Sequence, residues 1–130
     1  MCEDSEKWYR GGMKKYGLFG KLQAQAGKGS ELGEILLRAA SLMEHVEGCI
    51  LYIVNEGADN PDAIWVMEVW ESKEAHDDSF NIPGIRELIM QAMPILAETT
   101  EDGITLEVLG GKGLSIRSEA VPTITTNEES

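Results

Sequence analysis

Residues 65–86, WVMEVWESKEAHDDSFNIPGIR, run from an alternating strand through Trp70-Glu71-Ser72 into an acidic helix start that carries His76. Successive side chains of an extended chain point to opposite faces. Val66, Glu68 and Trp70 therefore share one face of this strand, and Trp65, Met67 and Val69 share the other. Large side chains stand on both faces, so neither is built for water and both need cover. Beyond the strand, KEAHDDS reads as one short helix. Pro83 restarts a second in which Ile85, Leu88, Ile89, Ala92, Met93 and Leu96 line one face, until Pro94 kinks or ends it.

Working outward, Tyr16 to Gln25 alternates as a first strand and AGKG breaks it. Leu32, Ile35, Leu36, Ala39, Leu42, Met43 and Val46 then recur at helical spacing. Ser30 is placed to cap that helix, Glu31 and Glu34 suit its positive end, and Glu47-Gly48 closes it. CILYIVNE is a second strand, GADNPD a turn and AIWVMEVWE the third strand, an antiparallel hairpin. GITLEVLGG supplies the fourth strand, and GGKG at 110–113 is a turn after it. The order is βαββαβ, an α+β ferredoxin-like pattern with an antiparallel sheet. Two apolar helix stripes cover one sheet face, and a symmetric homodimer packed sheet on sheet would cover the other. The folded domain is expected over 16–114, between an N-terminal extension at 1–15 and a flexible acidic tail at 115–130.

The chain has 130 residues, 42% of them hydrophobic, which suits one compact core. Its net charge of -12, with no basic patch, argues against nucleic acid and anionic membrane surfaces as partners. Cys2 and Cys49 do not make a disulfide framework, and Cys49 reads as a buried thiol in an apolar strand. MCEDSEKWYR lacks the pattern of a secretory signal, and no segment reaches the roughly 20 apolar residues needed to span a bilayer, so a cytoplasmic location is expected. There is no GxxxxGK[ST], no GxGxxG after a strand, and no paired His or Cys at metal-ligand spacing, so neither a cofactor nor a metal is expected.

Several pieces, in order, carry a family resemblance: Gly48-Cys49 with Tyr52, Glu68 with Trp70-Glu71-Ser72, Glu74-Ala75-His76-Asp77, Ile85-Arg86 with Leu88-Ile89, and the closing Gly-Gly-Lys-Gly. Over roughly Tyr16 to Gly113 they resemble the antibiotic biosynthesis monooxygenase family, and more narrowly its small members labelled quinol monooxygenases. The resemblance implies a dimeric α+β barrel with a pocket between helices and sheet in each subunit. It also implies oxidation of a small phenolic or quinol-like substrate by molecular oxygen, in many members without metal or flavin. Such chemistry is reasonable, because a deprotonated dihydroxyaromatic is electron-rich enough to reduce oxygen itself, leaving the protein to bind, deprotonate and exclude water. The haem-degrading branch depends on an Asn, a Trp and a His, and ungapped placement puts Leu22, Ser79 and Ile89 at those positions here, which disfavours haem degradation.

Within that frame His76 is the candidate catalytic base, since an imidazole titrates near neutrality. The plainer role is a helix-start histidine bonded to Asp77, Asp78 or the backbone. Glu68, a carboxylate between Met67 and Val69, needs a partner. It could orient a ligand hydroxyl, or pair with Arg86 or Lys21. Trp70 could form a flat wall of the pocket while serving as a large core aromatic, and Tyr52 could donate a hydrogen bond to a ligand or pack across strands. Arg86 could neutralise a substrate anion, or pair on the surface with Glu87 or Asp78. Met67, Met90 and Met93 read as adaptable core filling. The same fold could instead host an isomerase or other proton-transfer enzyme, or a noncatalytic ligand-binding or stress-response dimer.

Overall fold

A computed structural model describes residues 14–97 and 103–114. The N-terminal extension, apart from Lys14 and Lys15, and the acidic tail lie outside the described residues. The elements are β1 (Lys15–Gln23), α1 (Gly29–Leu42), β2 (Cys49–Gly57), β3 (Asn60–Trp70), α2 (Lys73–Asp78), α3 (Ile85–Ala92) and β4 (Ile104–Val108). Short 3-10 turns follow α2 at Ser79–Asn81 and α3 at Met93–Ile95. The strands form one antiparallel sheet in the order β2-β3-β1-β4, the ferredoxin-like arrangement expected from the element order.

Register sorts the strand side chains onto two faces. On the inner face lie the cross-strand rows Tyr52–Glu68–Leu18 and Cys49–Trp70–Tyr16. The helices cover it: Leu32, Ile35, Ala39 and Met43 of α1 and its C-cap, spaced three or four residues apart, pack with Ile85 and Leu88 of α3 against Ile64 and Trp70. Trp70, Leu32 and Ile64 are fully buried. The opposite face carries Ile53–Met67–Phe19–Ile104 and Leu51–Val69–Gly17–Leu106, apolar rows that cross all four strands. Ile53, Met67, Ile104 and Leu106 on these rows are exposed, while Trp65 stacks on Phe19 with ring centroids 5.3 Å apart.

Three expectations about helix ends are corrected. α1 ends at Leu42 with Met43 as its C-cap, so Val46 lies outside it and Glu47-Gly48 does not close it. Ser30 lies inside α1 and does not cap it. The N-terminal cap comes from Asp62 of β3, whose carboxylate oxygens accept the backbone N–H groups of Gly27 and Gly29 at 3.0 and 2.8 Å. Pro83 does not sit at the first position of α3. Gly84, with φ of +97°, forms that helix's N-cap, and a left-handed backbone there favours glycine. Pro94 converts the end of α3 to a 3-10 turn, in keeping with its missing N–H. The methionines are also corrected: Met67, Met90 and Met93 are all exposed, so they do not fill the core.

Candidate active site

The strand–helix junction at Trp70-Glu71-Ser72 places the site. Ser72 Oγ accepts the Ala75 N–H at 3.1 Å and so caps α2, which starts immediately after β3 and folds back over it. His76 is thereby carried over Glu68 and Trp70. Its ring lies 5.6 Å from those of Tyr16 and Trp70 and 5.4 Å from that of Phe80, edge-on to Trp70 and Phe80. Ser79, the one buried polar residue among those described, donates its hydroxyl to the His76 carbonyl at 2.6 Å and ties down the turn after α2.

A cavity of about 200 Å³ opens between this turn, α1, α3 and the inner sheet face. Its ionisable lining groups are Tyr52, Glu68 and His76, set among apolar side chains such as Leu22, Leu88 and Ile89. Phe80, Ile89 and Met93 line it and are also exposed, so they form its rim. A cavity of roughly 150 Å³ can hold benzene, so one substituted aromatic ring fits this space. A second cavity of about 230 Å³ shares Leu22, Leu36, Tyr52 and Glu68 with the first.

Glu68 is the centre of the site's electrostatics. Its carboxylate accepts the Trp70 Nε1–H at 2.8 Å, and His76 Nε2 stands 4.0 Å from the same oxygen, with both His76 and Glu68 side chains 17% exposed. Burial pushes the Glu68 carboxyl above its ordinary range, with the Trp70 hydrogen bond and the nearby His76 opposing. Tyr52 sits directly opposite Glu68 in the β2–β3 register. Burial first, then the Glu68 charge, pushes its phenol far above the ordinary range, so Tyr52 stays protonated and able to donate. The same causes push the Cys49 thiol up to about 11, which makes it unreactive at neutral pH.

Of the residues singled out from sequence, His76, Glu68, Trp70 and Tyr52 meet in one cavity. Arg86 does not join them: it is exposed on α3 and donates to Asn81 Oδ1 at 3.1 Å. Nor does Glu68 pair with Arg86 or Lys21, whose ammonium lies over the Trp65 ring at 5.6 Å. His76 does make the plainer contact, Nδ1 to Asp77 Oδ1 at 3.0 Å, while Nε2 lies on the side of Glu68, 4.0 Å from its Oε1. Phe80 was not anticipated. The available signal was its spacing, four residues after His76, which puts both on one helical face. Leu22, Ser79 and Ile89, the positions compared with the haem-degrading branch, all line the cavity. Among the described residues no cluster of three or more His, Cys, Asp or Glu is placed to hold a metal ion. No described helix is long and apolar enough to cross a membrane.

Residues 16–89 match the family model for antibiotic biosynthesis monooxygenase. Among solved structures, a protein from Chloroflexus aurantiacus, provisionally described as an antibiotic biosynthesis monooxygenase, is 34% identical with a TM-score of 0.70, over 77% of this chain and 98% of its own. A conserved protein from Methanosarcina mazei (21% identity, TM-score 0.66, 75% and 95% covered) shares the fold. So does a Deinococcus radiodurans protein with the same provisional description as the first (22%, 0.58, 79% and 99%). No curated protein matches the chain.

Proposed function

The chain belongs to the antibiotic biosynthesis monooxygenase family, and from that premise we propose that it oxidises a small phenolic or quinol-like substrate with molecular oxygen, without a cofactor, using His76 as base. The observation that carries this reading is the meeting of His76 Nε2 and the half-buried Glu68 carboxyl, 4.0 Å apart, in the wall of an apolar cavity sized for an aromatic ring. The substrate ring lies between Trp70 and the apolar rim, with a hydroxyl at Nε2. His76 takes the hydroxyl proton and becomes an imidazolium beside Glu68.

The resulting anion passes one electron to dioxygen, and superoxide and the substrate radical combine at a ring carbon. The peroxide takes the proton back from His76. Loss of the ring C–H proton and cleavage of the O–O bond leave a ring carbonyl and release the second oxygen as water. For a quinol the balance is quinol plus dioxygen to hydroxyquinone plus water, with all the reducing electrons drawn from the substrate. The protein's part is to bind, deprotonate and keep bulk water away.

A proton-transfer enzyme such as an isomerase would use the same base and carboxyl, and oxygen consumption separates the two readings. In a noncatalytic binding protein nothing would require His76 and Glu68 to face the cavity together. The test is to screen phenols and quinols for thermal stabilisation and to follow oxygen uptake with each binder, above the rate in protein-free buffer. His76→Ala is expected to lower turnover by roughly 10²–10⁴-fold with the fold intact. Undiminished turnover would remove His76 from the mechanism.

A further inference from the structure

We propose that Asp77 is a positioning residue for the reaction assigned to this cavity, holding the neutral His76 ring with its proton on Nδ1 and leaving Nε2 bare toward Glu68. The two ring nitrogens face different carboxyls. Nδ1 lies 3.0 Å from Asp77 Oδ1, a hydrogen bond, and Nε2 lies 4.0 Å from Glu68 Oε1, too far for one. Asp77 is itself anchored, because Lys73 donates to its other oxygen, Oδ2, at 2.9 Å one helical turn away. The titratable and charged groups around the ring are Tyr16 from β1, Glu68 from β3, and Lys73 and Asp77 on its own helix.

An ionised carboxylate accepts hydrogen bonds and cannot donate them. The Lys73 bond first, and the His76 bond second, hold Asp77 below the usual carboxylate range, so it is ionised at neutral pH. The shared proton therefore belongs to Nδ1, and in a neutral imidazole that leaves the lone pair on Nε2. Tyr16, Trp70 and Phe80 pack around the ring and keep it in that orientation. The 4.0 Å gap then has a use. A substrate hydroxyl within about 2.8 Å of the bare Nε2 gives its proton to the ring, and the imidazolium so formed stands beside the Glu68 carboxylate. The opposite tautomer would point an N–H at Glu68 and offer the substrate no base.

The ¹⁵N chemical shifts of the histidine ring nitrogens report the tautomer directly, and His45 is the only other histidine to assign. In its neutral form the wild-type ring is expected to show a protonated Nδ1 and a bare Nε2. Asp77→Ala should move the proton to Nε2. Asp77→Asn, whose amide can either donate or accept, should give a mixture. Lys73→Met breaks the helical ion pair but keeps Asp77, and should keep the wild-type tautomer. A wild-type ring protonated on Nε2, or an unchanged ring in Asp77→Ala, would overturn the proposal. With a quinol that the protein turns over, Asp77→Asn should lower kcat by about 10–100-fold and change KM little; an unchanged kcat would equally overturn it. If no quinol is turned over, the oxygenase reading fails, and the ring tautomer still decides what Asp77 does.

Discussion

Glu68 and Trp70 are two residues apart on one face of β3, and the indole reaches back along the strand to hold the carboxylate at 2.8 Å. That bond satisfies the carboxylate without neutralising it, and burial still raises its pKa above the ordinary value near 4.5. A buried acid with a raised pKa binds its proton more tightly in the folded than in the unfolded chain, so stability falls as pH rises from the unfolded-state value through the folded-state one. Glu68→Gln keeps an oxygen to accept from Trp70 and removes the charge. Its stability advantage over wild type should therefore be absent below about pH 4 and grow as pH rises, in urea melts at a series of pH values. An advantage that did not change with pH would show that Glu68 is not held toward its neutral form. The sequence showed that Glu68 needed a partner, because a carboxylate between Met67 and Val69 is out of place. It did not show which partner, since Lys21 and Arg86 match its charge better, and only the fold of the strand–helix junction decides that His76 and Trp70 reach it first.

The caps of α1 and α3 show how far local sequence carries at the scale of elements. The apolar spacing from Leu32 to Val46 located α1, though it overran the helix end at Leu42, and strand alternation located β3, because both signals are repeated along the chain. The start of α1 was misplaced because its cap comes from Asp62, more than thirty residues away in sequence. The same close approach fixes Gly29, where an added Cβ would collide with Pro61 O and the Asp62 side chain. Asp62→Ala should destabilise the domain by about 1–2 kcal/mol, the usual cost of losing a helix N-cap, measured by urea unfolding. Asp62→Asn, which can still accept with one oxygen, should cost less. Equal losses for both would mean that the capping bonds do not matter.

Across the whole molecule the sheet has one face under helices and one carrying exposed Ile53, Met67, Ile104 and Leu106. An apolar sheet face of this kind calls for a partner, and a second copy packed sheet on sheet is what the family resemblance implies. Sedimentation at micromolar concentration should give a dimer, and Leu106→Asp, which puts a charge at the β4 end of an apolar row, should shift it to monomer with the helices retained. A wild-type monomer would contradict the assembly. The two-sided strands made this face legible in the sequence. The cavity was not, because its walls come from β1, α1, β2, β3, α2 and α3 together, and no single segment records its shape. In the proposed reaction this cavity inserts one atom of dioxygen into a phenolic ring. Its most direct test is turnover of 1,4-dihydroxynaphthalene under ¹⁸O₂ with mass analysis of the product. One ¹⁸O atom is expected in the hydroxyquinone, formed faster than in buffer and lost with His76→Ala; a quinone free of label, or a rate equal to that of the variant, would overturn the proposed reaction.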